Sequence, residues 1–88
     1  MKLIIAIIRD NDNEPVSRAL TSADFRVTCV ASTGGFLHRG MSTLLIGLED
    51  DQVERALTIM RENCAPPSEP NIKRATVFVL KVDQYTHL

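Results

Sequence analysis

The chain opens on KLIIAIIR at 2–9, an apolar, β-branched run of strand length closed by charge. It predicts a first strand. Asn11-Asp12-Asn13-Glu14-Pro15 supplies helix-start residues, with Pro15 expected in the first turn. Val16, Ala19, Leu20 and Ala23 follow at i, i+3, i+4 and i+7, the spacing of an amphipathic helix. FRVTCVAST at 25–33 alternates and predicts a second strand, broken by Gly34-Gly35. A short loop holds His38, Arg39 and Gly40, and STLLIGLE at 42–49 reads as a third strand. Asp50-Asp51 is expected to cap a second helix, with Glu54 in the capping-box position. Val53, Ala56, Leu57 and Met60 repeat the helical spacing. A loop from Cys64 to Asn71 contains Pro66, Pro67 and Pro70, and KRATVFVLKV at 73–82 predicts the last strand before a short tail.

The order is βαββαβ within a single domain, 1–88. This is the α+β, ferredoxin-like arrangement: an antiparallel four-stranded sheet with two helices on one face. The free face of such a sheet is polar when it meets water. Here it is not. Leu3, Ile5 and Ile7 oppose Ile4, Ala6 and Ile8 across the first strand, and the third and fourth strands are also apolar on both sides. Two helices cover one face only. The other predicts packing against further copies of the chain, because a soluble monomer rarely exposes so large an apolar patch.

Composition narrows the partners. The formal net charge is −1, so no broad positive field attracts nucleic acid or an anionic membrane. No apolar run approaches the roughly 20 residues that span a bilayer. The first run stops at Arg9-Asp10 without a small-residue cleavage site, so it reads as a strand rather than a leader, and a cytoplasmic location is the default. Cys29 and Cys64 fit no zinc spacing and are expected to be buried free thiols. Asp50, Asp51 and Glu54 read as capping groups rather than a metal site.

Several residues could carry chemistry. Gly34 and Gly35 permit backbone N–H groups to approach an anion, or simply end a strand. Arg26 shares a strand face with Thr28, Val30 and Ser32. Its guanidinium suits phosphate or a base edge, with Thr28 adding a hydroxyl; the alternative is an exposed pair with Asp24. Phe36 and Leu37 wall a base pocket or plug a neighbouring copy. Gly47 interrupts an apolar strand, which points to close approach of a ligand or another backbone. Phe78 could stack on a base or belong to the core. The tip His38-Arg39 and the late His87 read most simply as solvated.

KLIIAIIRDND, FRVT at 25–28, ASTGGFL at 31–37, Gly40, Thr43, IGLED at 46–50 and ATVFVL at 75–80 together resemble the PII-like cyclic-di-AMP receptor proteins over nearly the whole chain. The resemblance implies a PII-type homotrimer with its sheets facing inward and no catalysis. It also implies a nucleotide, cyclic di-AMP or an adenine nucleotide, bound in inter-subunit clefts, with signalling to a protein target through loop movement. The ligand-binding residues it implies are Arg26, Thr28, Thr33, Gly34, Gly35, Phe36, Leu37, Gly47 and Phe78, with no metal or cofactor. There are departures. Asp24 and Met41 stand where the family has Asn, His87 stands where it has Gln, and the loop before the last strand is shorter. A carboxylate repels a diphosphate, and a thioether lacks the paired donor and acceptor of an amide.

A degenerate interaction module that has lost its small ligand is therefore the competing reading. An acylphosphatase-like hydrolase needs an anion-cradling loop after the first strand, but that segment lacks Gly and is mostly acidic. An RNA-recognition sheet needs exposed aromatics, and the chain has three Phe, one Tyr and no Trp.

Overall fold

A computed structural model of the chain describes residues 1–32, 40–64 and 75–86. The elements run β1 (Lys2–Arg9), α1 (Asp10–Ser22), β2 (Arg26–Ser32), β3 (Met41–Leu48), α2 (Val53–Asn63) and β4 (Ala75–Lys81). They form one antiparallel four-stranded sheet in the order β2-β3-β1-β4. This is the expected α+β, ferredoxin-like architecture. β1, the most apolar strand, is paired on both edges, by β3 and β4.

One face of the sheet makes the core. Ile4, Ala6 and Ile8 of β1 and Leu44, Ile46 and Leu48 of β3 pack with Val16, Leu20, Ala56 and Met60 from the helices. Ile4, Ile8, Leu20, Leu44 and Ile46 are wholly buried. Each such side chain stabilises by about 1.5–3 kcal/mol, and a cavity such as Leu44→Ala costs about 2–5 kcal/mol. The opposite face remains apolar among the described residues. Leu3, Ile5, Ile7 and Leu45 are half-buried, and Phe78 and Leu80 are 50% and 45% exposed.

The end of α1 explains a sequence departure. Asp24 has φ 70, the left-handed region. Its N–H donates to Thr21 O at 3.0 Å, and the Phe25 N–H donates to Leu20 O at 3.0 Å. These bonds make a Schellman motif, with Phe25 and Leu20 supplying its apolar contact in the core. Phe25 is thus the turn rather than the first residue of β2. Asn and Asp tolerate left-handed backbone better than other non-glycine residues, so Asp24 suits the turn it makes.

Four local expectations are corrected. Pro15 lies at the sixth position of α1, not in its first turn. It forgoes a bond to the Asn11 carbonyl, and both residues are exposed, so that carbonyl lies on the solvent side. Asp50 and Asp51 do not cap α2. They begin a 3₁₀ turn, Asp50–Gln52, with no side-chain cap bond, and Asp50 instead meets the Met1 ammonium at 3.1 Å. The alternation of β2 breaks at a bulge between Cys29 and Ala31, after which Ala31 pairs with Thr43 and Ser32 with Ser42. The single face expected to run from Arg26 through Ser32 therefore stops short of the strand's end. Finally, Cys64 is buried, but Cys29, beside the bulge on the edge strand, is exposed.

Candidate functional site

Strand register sets the candidate side chains in rows across the free face. Arg26 of β2 pairs with Gly47 of β3, Gly47 with Leu3 of β1, and Leu3 with Leu80 of β4. The next row on that face is Thr28, Leu45, Ile5 and Phe78. Arg26 and Thr28, two residues apart, project from the same side of an edge strand at a separation of roughly 7 Å.

The β2 and β3 members of these rows, with Leu3, border an open concavity of about 640 Å³. Its lining includes Arg26, Thr28, Gly47, Leu3 and Leu45, together with Met1, Lys2, Val82 and Tyr85. The volume lies within the range of small-molecule clefts, about 300–1,000 Å³. Arg26 is exposed and makes no ion pair with Asp24 or any other described residue. Its guanidinium is available for a charge-assisted, two-pronged contact with phosphate. A Cβ built on Gly47 meets none of the described residues within 4 Å, so glycine here does not relieve crowding among them. Its bare backbone leaves a gap in the floor of the concavity.

Three of the expected ligand residues, Arg26, Thr28 and Gly47, are thus brought together. Phe78 is not with them. It shares a row with Thr28 but stands three strand spacings away, roughly 14 Å, on the far edge of the sheet. Met41 lies six residues along β3 from Gly47, roughly 20 Å. Thr33, Gly34, Gly35, Phe36 and Leu37 lie outside the described residues, as do His38, Arg39 and His87.

Tyr85 and Lys2 were not anticipated. The Val82 N–H donates to Met1 O at 3.1 Å, carrying the pairing of β4 past Lys81 and directing the tail toward the first row. A lone Tyr just beyond a terminal strand was the available signal. A hydrogen bond from the N-terminal ammonium holds the Asp50 carboxyl below the ordinary value of 3.8, with the charges of Lys2 and Lys81 acting in the same direction. Among the described residues no helix is long and apolar enough to cross a membrane.

Comparison with known proteins agrees with the fold. A structure described as that of a functionally unknown protein from Pediococcus pentosaceus ATCC 25745 is 34% identical and superposes with a TM-score of 0.80, covering 99% of this chain and 96% of that one. Residues 1–70 match the sequence pattern of the cyclic-di-AMP receptor family. That span holds Arg26, Thr28, Gly47 and the whole 33–37 segment, and the chain belongs to the cyclic-di-AMP receptor family.

Proposed function

We propose that this chain is a non-enzymatic, trimeric nucleotide receptor of the cytoplasm that binds cyclic di-AMP in clefts between subunits and passes the signal to a protein target. The observation that carries this reading is the gathering of Arg26, Thr28 and Gly47 on one open concavity while Phe78 and Met41 sit elsewhere on the same apolar face. One chain supplies two separated half-sites, and a neighbouring copy packed on that face would join them. Thr33, Gly34, Gly35, Phe36 and Leu37 complete the proposed cleft. Among the described residues, the lining of the concavity offers the cations Arg26 and Lys2, hydroxyls and apolar surface but no carboxylate, His or Cys. That set suits binding better than acid–base or nucleophilic work.

The test joins size exclusion with light scattering to a thermal-shift panel of cyclic di-AMP, ATP and ADP. A trimer stabilised most by cyclic di-AMP supports the reading, and a clean monomer contradicts it. One observation favours the second reading, a trimeric module that no longer binds the cyclic dinucleotide. Asp24 places an exposed carboxylate two residues from Arg26. A trimer without any thermal shift would select that reading.

A further inference from the structure

We propose that Tyr85 is the stacking residue of the concavity, holding the base of a bound nucleotide against its ring while Arg26 holds the phosphate. This rests on the nucleotide-receptor reading above and adds to it a residue from the tail of the chain.

Three features of the concavity meet in one kind of ligand. Arg26 stands on β2, at one edge of the sheet, and its exposed guanidinium suits an anion. Gly47 and Leu3, paired in register, give a low, apolar floor. Tyr85 comes from the tail that leaves β4, the opposite edge, and lines the same concavity while 62% exposed. Among the described residues the lining holds no carboxylate and no other aromatic ring. An anionic group joined to a flat ring is the ligand chemistry that uses all three features. A bare phosphate leaves the Tyr85 ring and the apolar floor unused. An uncharged ring leaves Arg26 unused.

The other two described aromatic side chains stand apart. Phe25 is buried in the core, and Phe78 does not line the concavity. Tyr85 is also held close to its place. The Val82 N–H donates to Met1 O at 3.1 Å, which pins the base of the tail to the start of β1. The chain bends at Asp83, and only Asp83 and Gln84 separate Val82 from Tyr85. Three residues reach at most about 11 Å, so the ring stays near the sheet end whatever the tail does beyond it. A Tyr side chain has two torsions to fix and loses little freedom when a base settles on it.

The chain has one Tyr and no Trp, so its tyrosine emission reports Tyr85 alone. The test titrates cyclic di-AMP into wild type, Y85F and Y85L, reading affinity by calorimetry and assembly by light scattering. Emission is followed in the wild type, with a free tyrosine amide at the same ligand concentrations as the control for light absorbed by the ligand. Wild-type emission should be quenched along the calorimetric binding curve. Y85F keeps the ring, so any bond the hydroxyl makes drops out of the comparison, and its affinity stays within about threefold of wild type. Y85L keeps apolar bulk without the ring, and its affinity falls at least about fivefold with assembly unchanged. Wild-type affinity in Y85L, binding by the wild type without quenching, or Y85F as impaired as Y85L overturns the stacking role and leaves the receptor reading standing. A smaller species for Y85L also overturns it, since the ring then packs on a neighbouring copy. Absence of binding by the wild type overturns both.

Discussion

Arg26 and Gly47 face each other across the pairing of β2 and β3, and the space a side chain at 47 would fill is open. On the proposed function, strand stability and ligand binding therefore make opposite demands on this position. A glycine inside a strand weakens it, and valine suits a strand better by up to about 1 kcal/mol. Gly47→Val should unfold at equal or higher denaturant, by about 0.5–1 kcal/mol. Its affinity for cyclic di-AMP should fall at least about tenfold, since the new methyl groups fill the floor of the concavity. Chemical denaturation and calorimetry on the same sample check both halves.

The exposed pair Phe78 and Leu80 tests what covers the free face. Both sit on the far-edge strand, in register with Ile5 and Leu3. Phe78→Asp sets a charge into an apolar contact if another copy packs there, and meets only water if none does. The account predicts that light scattering shows a trimer for wild type and a smaller species for the variant. The variant's circular dichroism should be unchanged, because the core lies on the other face.

Asp24 separates backbone demand from ligand demand. Its φ of 70 suits Asn as well as Asp, so Asp24→Asn should leave stability within about 0.5 kcal/mol. Removing the negative charge near Arg26 should raise affinity for cyclic di-AMP a few-fold, more at low salt than at high salt because exposed charges are screened. Calorimetry at two ionic strengths reads the effect.

Asp50 gives the pH dependence a sign. Its folded-state pKa is lowered, first by the hydrogen bond from the N-terminal ammonium. A depressed carboxylate contributes stability above its ordinary value of 3.8, and that contribution disappears as pH falls below it through the folded value. Asp50→Asn should therefore lose slightly less stability than wild type between pH 6 and pH 3. The two should differ little at neutral pH, as befits an exposed pair. Urea midpoints across that interval report it.

Periodicity made most of the fold legible. The alternation in 2–9 and 42–49 and the two i, i+3, i+4, i+7 sets located the strands and helices, because burial on one face imposes those spacings directly. The two-sided apolar strands also announced a face that the helices leave uncovered. Side-chain choices among several partners were not legible. Asp50 prefers the N-terminal ammonium to a cap, and Asp10 bonds residues thirty positions away. The bulge at Cys29 reverses the phase of β2 without any Gly or Pro to mark it. The site was half legible. Arg26, Thr28 and Gly47 share one face by simple alternation, but Tyr85 joins them only through the path of the tail after Val82. The separation of Phe78 from Arg26 follows from strand order, which no local pattern reveals.

The most direct test of the account is calorimetric titration of cyclic di-AMP into the wild-type protein and Arg26→Ala. An exposed Arg with no partner among the described residues has no structural duty there to lose, so the variant should fold and assemble as wild type does. The loss of a charge-assisted contact worth about 1.5–3 kcal/mol predicts saturable binding by the wild type and affinity about ten- to a hundredfold weaker in the variant. Equal affinity in the two proteins, or no binding by the wild type, would contradict the account.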